Sequence, residues 1–409
     1  MNGLWKLLFS DNIRDFEGYS IGKTLKYMND PEIISFAVGM PSPDTFPKHF
    51  VRKASQKILQ DNIDRVLQYS PVPGEGALIE EIIKFLKRDN IDIKEENILI
   101  TSSGQHGLDL TGRLFLNPGD SILLDRPTFG GALVAFQMER PNYLGVNIQR
   151  DGSNIEGFRK KIEKSKGDTD HPLKFIYVVP DFQNPTGITM SLEKREALLD
   201  LSYEFNIPIV EDSPYRTLRY SGESIPSLFS LDQRRNGESV ISLFTFSKVL
   251  APGIRVGFNI GEASIIKKMT NIKEANVLNT PKWNQDICAL FLKEINLDSY
   301  FRKAQEYYRN KLEKILEILS LHLGPLPGVS WTKPEGGLFL WITVPEYIDT
   351  MELFYEAIKE DKVAFVPGEA FYAENPEKNH IRINFSYLPE DQFEEGIKRL
   401  TNCLRRYLK

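Results

Sequence analysis

Ser242-Leu-Phe-Thr-Phe-Ser-Lys-Val-Leu-Ala-Pro-Gly-Ile-Arg255 is the stretch from which the rest of the chain can be read. An apolar, strand-like run from Val240 to Phe246 leads into a single lysine, Lys248. Two hydroxyls, Thr245 and Ser247, precede the lysine, and a Pro-Gly turn and Arg255 follow it. An amine can form a Schiff base with an aldehyde, and hydroxyls with a guanidinium suit a phosphate. The run therefore has the groups needed to hold an aldehyde cofactor that carries a phosphate. Taken by itself, it reads more readily as a surface lysine beside a turn.

Working outward, six further apolar runs share the character of this one: Ile98–Ser102, Ser121–Asp125, Tyr143–Ile148, Phe175–Val179, Ile207–Glu211 and Val256–Ile260. Several are apolar on consecutive positions, as strands buried on both faces are. Helix-length segments separate them, such as Ser191–Phe205 with its capping serine and charged face. The expected fold class is α/β: a large domain with a mostly parallel seven-stranded sheet wrapped by helices. Such sheets bind ligands beyond the carboxyl ends of their strands. After about residue 285 the pattern changes. One long amphipathic helix is expected over 286–323, then strands at Gly337–Val344, Val363–Val366 and His380–Phe385, with helices near 350–361 and 390–408. This predicts a smaller α+β domain. The expected division is 1–45 (an N-terminal arm joined to the small domain), 46–285 and 286–409. Gly152-Ser153 and the segment 164–171 read as exposed loops.

Composition narrows the function classes. The 409 residues carry a net charge of −5 and no basic stripe, which argues against nucleic acid and anionic membrane as partners. The two cysteines, Cys288 and Cys403, and five scattered histidines form no metal-ligand spacing, so no metal is expected. The apolar start, Leu4–Phe9, is too short for a signal segment, and the cytoplasm is the expected location.

Candidate site residues sit where strands end. Ser103, Gly104 and Gln105 form a small-residue turn between a strand and a helix, where backbone N–H groups and the helix dipole favour a phosphate. His106, on the first helical turn, is taken as structural. Asp212 closes a buried strand, with Tyr215 three residues on. A carboxylate there can keep the ring nitrogen of a pyridine cofactor protonated, which makes the ring an electron sink; a helix cap is the plain alternative. Asn184 precedes Pro185 and is biased towards extended backbone, so its amide is held rigidly. Phe129 is a candidate to stack on a planar ring, or simply to pack in the core. Tyr69 carries a phenol able to reach a phosphate. Arg382 alternates with apolar neighbours on a strand and suits bidentate capture of a carboxylate; a solvated charge on an edge strand is the alternative.

In their order along the chain, Phe36–Pro47, Tyr69–Gly76, Thr101–Gln105, Asn184–Gly187, Glu211–Tyr215, Ser247–Arg255, Pro334–Trp341, Pro367–Phe371 and Ile381–Ser386 form a specific set. The chain resembles the fold-type I pyridoxal-phosphate aminotransferases of class I/II, nearest to the 2-aminoadipate/aromatic and kynurenine branch. The resemblance implies pyridoxal 5'-phosphate as cofactor, a homodimer, and amino acids and 2-oxo acids as substrates, with 2-oxoglutarate as an expected acceptor in a ping-pong cycle. It implies that Lys248 carries the cofactor and shuttles the proton, and that Asp212 holds the pyridinium. Asn184 and Tyr215 would bind the phenolic oxygen. Ser103, Gly104, Gln105, Thr245, Ser247 and Arg255 would bind phosphate, with Tyr69 reaching in from the partner subunit. Phe129 would stack on the ring, Arg382 would take the α-carboxylate, and Gly39 would let the N-terminal segment pass over the substrate.

One departure bears on substrate. Many members of this branch carry Ser-x-Ile-Arg-Glu near the N-terminus, whereas Tyr19-Ser-Ile-Gly-Lys23 has Gly22 in place of the arginine. The arginine expected to meet an acidic substrate side chain such as that of 2-aminoadipate is missing, though Lys23 is adjacent. Two other functions share the fold: a β-eliminating C–S lyase, which uses the same electron sink, and a non-catalytic effector-binding module, against which the intact Lys248, Asp212 and Arg382 argue.

Overall fold

The computed structural model describes residues 5, 8–14, 16, 18 and 30–408; the segment 19–23, with its Gly22 departure, lies outside the described residues. After a short β1 (Ile34–Ser35) come β2 (Ile98–Thr101), β3 (Ser121–Arg126), β4 (Asn142–Asn147), β5 (Leu173–Val178), β6 (Ile209–Asp212), β7 (Val240–Thr245) and β8 (Gly257–Ile260). β2 to β8 form one sheet in the order β2-β8-β7-β6-β5-β3-β4. β8 is antiparallel to both neighbours, and the other pairs are parallel. The seven apolar runs of the sequence are these seven strands.

Consecutive apolar residues serve two cores at once. Ile98, Ile100, Ile176, Val178 and Ile209 join one hydrophobic cluster, while Leu99, Phe175, Tyr177, Val179 and Val210 join another. Side chains alternate across a strand, so a fully apolar run feeds both faces of a covered sheet. Reversed β8 has a further effect. Its start, not its end, lies at the edge where the other strands finish, since Gly257 pairs with both Thr101 and Thr245. A Cβ on Gly257 would fall 2.6 Å from the Phe244 carbonyl oxygen and 2.9 Å from the Gly104 nitrogen. Only glycine lets three loops meet that closely.

The C-terminal layer holds β9 (Ser330–Trp331), β10 (Phe339–Thr343), β11 (Val363–Ala364), β12 (Val366–Pro367) and β13 (His380–Asn384). Four of these form an antiparallel sheet, β12-β13-β10-β9, and β11 pairs in parallel with β1. Its core includes Leu312, Ile315, Leu340, Ile342, Ile381, Ile383 and Leu400. No helix among the described residues is long and apolar enough to cross a membrane.

Two expectations are corrected. The single helix over 286–323 is two helices, Lys282–Glu294 and Leu297–His322. The chain turns at Ile295–Asn296, and the Asn296 side chain caps the second helix by accepting the Ser299 N–H. Gly152-Ser153 is buried rather than exposed. The Ser153 hydroxyl donates to the buried Asp125 carboxylate at 2.9 Å, a contact that composition does not reveal.

Candidate active site

A cavity of about 340 Å³ opens at the carboxyl edge of the large sheet, between it and the C-terminal layer. Lys248 enters it from the turn after β7, and its Nζ donates to the Gly39 carbonyl at 2.7 Å. Burial draws its pKa down to about 8, and the positive charges of Arg382 and Arg255 act in the same direction. Near neutral pH a far larger fraction of this amine is therefore neutral and nucleophilic than of an ordinary lysine.

Asp212, at the end of β6, is 6% exposed and lines the same cavity. Tyr177 on the adjacent β5 donates its hydroxyl to Oδ2 at 2.8 Å. Burial pushes the Asp212 pKa up to about 7; the neighbouring Glu211 charge adds to this, and the Tyr177 hydrogen bond opposes it. Asn184 and Tyr215 line the cavity beside it, both buried. Tyr215 packs edge-on against Phe339.

The far end of the cavity is built from loop backbone and hydroxyls. Ser103 stands just ahead of the helix Gly104–Phe115 with φ 106°, unusual for a residue with a side chain, and its side chain makes no capping hydrogen bond. The Thr101 hydroxyl donates to the Ser103 carbonyl at 2.9 Å and fixes that turn. Thr245 and Ser247 share a hydroxyl–hydroxyl bond of 3.0 Å. Arg255, in the left-handed region at φ 52°, is exposed and lines the same end. Gln105 donates to the Gly131 carbonyl at 2.7 Å, and the Phe129 ring folds over Gly131, where a Cβ would fall 2.4 Å from the ring.

Arg382 closes the cavity from β13, an interior strand, so the edge-strand alternative fails. It is 3% exposed and donates to Asn184 Oδ1 at 3.2 Å and to the Ala37 carbonyl at 2.6 Å. Its guanidinium lies over the Phe339 and Phe371 rings. Ala37, Val38, Gly39 and Met40 form the roof.

The structure thus gathers every candidate residue of the sequence around one cavity except Tyr69, which is 76% exposed and off its wall. His106 lies behind the site, where its Nδ1 accepts the Ser102 N–H at 3.1 Å. Sequence reasoning missed Tyr177 and Phe339. A lone phenol in an otherwise apolar buried run, Phe175–Val179, was the available signal for the first. Nothing local marked the second.

The aminotransferase class I and II family model matches residues 31–400. The chain belongs to that family. It is 36% identical to aromatic-amino-acid aminotransferase 1 of Thermococcus litoralis, over 98% of this chain and 95% of that one. The crystal structure of Pyrococcus horikoshii kynurenine aminotransferase in complex with PMP superposes with a TM-score of 0.93 at 39% identity, covering 100% of both chains. An α-aminoadipate aminotransferase from Thermus thermophilus, complexed with N-(5'-phosphopyridoxyl)-L-leucine, gives 0.90 at 32% identity, with 98% of each chain covered. The protein is a pyridoxal-phosphate-dependent aminotransferase, and its cavity fits that cofactor. It offers an amine of lowered pKa, a buried carboxylate held by one phenol, and a helix N-terminus ringed by hydroxyls and a guanidinium.

Proposed function

We propose that the enzyme moves an amino group from an aromatic, 2-aminoadipate-like or other bulky L-amino acid to a 2-oxo acid such as 2-oxoglutarate, in two half-reactions. The observation that carries this reading is the convergence of Lys248, Asp212, Asn184, Tyr215 and Arg382 on one cavity. When bound, pyridoxal phosphate supplies a carbonyl carbon that takes up the amino group and a ring that delocalises the electron pair freed at Cα. Asp212 holds a proton at the ring nitrogen and is itself oriented by Tyr177. Asn184 and Tyr215 hold the phenolic oxygen, and Phe129 covers the ring face. Ser103, Gly104, Gln105, Thr245, Ser247 and Arg255 grip the phosphate. Arg382 would bind the α-carboxylate and so set Cα towards the Lys248 amine, the group placed to take the Cα proton and return it to the cofactor's carbonyl carbon, two bonds away. The roof at Val38, Gly39 and Met40, with Phe339, offers an apolar wall to a bulky side chain and excludes water.

The same proposal includes a cytoplasmic homodimer in which Tyr69 of one copy completes the phosphate grip of the other; the exposure of Tyr69 supports it. It also includes the division 1–45, 46–285 and 286–409. The pairing of β1 with β11 favours assigning the N-terminal arm to the small domain, and the helix Lys282–Glu294 spans the second boundary.

The test is the visible absorbance of protein loaded with pyridoxal phosphate, before and after a panel of amino acids. A band lost on adding bulky L-amino acids and restored by 2-oxoglutarate is expected. A protein that stays colourless after incubation with the cofactor overturns the reading.

A further inference from the structure

Lys273 lies on the helix Ala263–Asn276 with no solvent exposure and outside the cavity, so the reaction does not use it directly. Its Nζ donates to the Val72 carbonyl at 2.6 Å and to the Ile100 carbonyl at 2.8 Å. Those carbonyls belong to the stretch that carries Tyr69 and to the strand that leads into the Ser103 turn of the site. Val72 follows Tyr69 in a stretch that covers the free edge of β2, where the Ile100 N–H donates to the Pro73 carbonyl at 2.8 Å. Ile100 leads into the Ser102–Ser103 turn. Gly74 packs so closely on Ile100 that a Cβ would fall 2.2 Å from Cγ1.

The helix of Lys273 runs on into a second set of ties. The Ser70 hydroxyl donates to the Thr280 carbonyl at 3.1 Å, and the Ser102 and Thr280 hydroxyls are hydrogen-bonded to each other at 3.2 Å. Gln285 donates to both Ser70 Oγ and the Thr280 carbonyl and accepts the Glu75 N–H. His106 accepts the Ser102 N–H from the other side. Each tie is a buried or part-buried polar contact, which is costly to leave unmade. Together they fasten the stretch 70–75 to the turn that presents Ser103.

We propose that Lys273 is a positioning residue for the cofactor phosphate: it locks the Tyr69 stretch and the Ser102–Ser103 turn into one rigid piece. The inference rests on the cofactor and dimer readings above. On those readings, one piece of each subunit contributes to two phosphate grips, its own through Ser103 and its partner's through Tyr69. Lys273 thus sets the spacing for both.

The experiment titrates pyridoxal phosphate into cofactor-free wild type, Lys273→Met and Thr280→Val. It follows cofactor absorbance for Kd, and then measures the amino-acid KM at saturating cofactor. Lys273→Met is expected to raise the cofactor Kd about tenfold or more while the amino-acid KM moves by about twofold at most. Thr280→Val keeps the shape of the side chain and loses only the hydroxyl, and is expected to raise Kd about threefold. In the Lys273→Met background, Tyr69→Phe should cost less cofactor affinity than it does alone, because the stretch that carries Tyr69 is already loose. Folded variants with a lower Tm and a wild-type cofactor Kd overturn the proposal. If Lys273→Met does not fold, an unchanged Kd in Thr280→Val does the same. Wild type that binds no pyridoxal phosphate overturns the cofactor reading itself.

Discussion

Glu211 and Asp212 are neighbours on β6, and they face different worlds. The Glu211 carboxylate accepts the Leu228 and Phe229 N–H groups and the Ser242 hydroxyl, so it caps the helix Leu228–Arg234 and is fully occupied. Asp212 accepts one phenol and lines the cavity. The lysines repeat the contrast. Lys273 is engaged by two backbone carbonyls, whereas Lys248 has one, with two guanidiniums for neighbours. Glu211, Asp212 and Lys273 are buried, and Lys248 is half-buried. Reactivity follows from how many partners the fold leaves each one, and from whether a cavity lies beside it.

The largest effect expected from breaking this contrast is at Lys248. Lys248→Ala should lower turnover by about 10²–10⁴-fold or more, measured as the half-reaction at saturating amino acid, with residual cofactor binding retained. Asp212→Asn should cost about 10²–10³-fold in the same assay. It should also stabilise the cofactor-free protein at about pH 8. The reason is the sign of the shift: burial raises the Asp212 pKa from 3.8 to about 7, so the folded state binds its proton more tightly than the unfolded chain does. That group's contribution to stability therefore falls as pH rises from about 4 to about 7. Asparagine removes the fall, and unfolding curves across that range will show the two proteins diverging towards high pH.

Arg382→Leu is expected to raise KM about 10–100-fold for every amino acid alike, since it removes the partner of the group they share. The same change removes a charge that holds the Lys248 pKa down, so the acid limb for pyridoxal phosphate incorporation should move to higher pH from its midpoint near 8. The smallest effect concerns stability alone. Ser153→Ala deprives Asp125 of its donor and should cost about 1–3 kcal/mol. Burial already holds that carboxyl at a pKa of about 7, so the deficit should be largest above that pH and fade below it, as urea unfolding on either side will show.

The site was legible in the sequence to the extent that strand ends were. Lys248, Asp212, Asn184 and Ser103 each follow an apolar run, and an open α/β sheet brings such ends to one edge. Arg382 could be put on a strand by alternation, but its burial depends on β13 lying inside its sheet, which only the pairing reveals. Tyr177 and Lys273 were illegible for a related reason: their partners are 35 and 173–201 residues away. The break at Ile295–Asn296 was the reverse case. Its capping asparagine stands in the sequence, but amphipathic character on both sides carried the helix reading through it. Gly152-Ser153 shows the limit of composition, since small polar residues also line the interior when a carboxylate needs a donor.

The roof of the cavity has a mechanical consequence. Its strand, β1, is paired with β11, the Phe36 N–H donates to Ala364, the Asn384 N–H donates to Phe36, and Arg382 grips Ala37. Gly39, two residues further on, accepts from Lys248. The segment is a lever fixed to the C-terminal layer and resting its tip on the reactive amine. Any tilt of that layer is transmitted to Lys248 as a change in a single hydrogen bond.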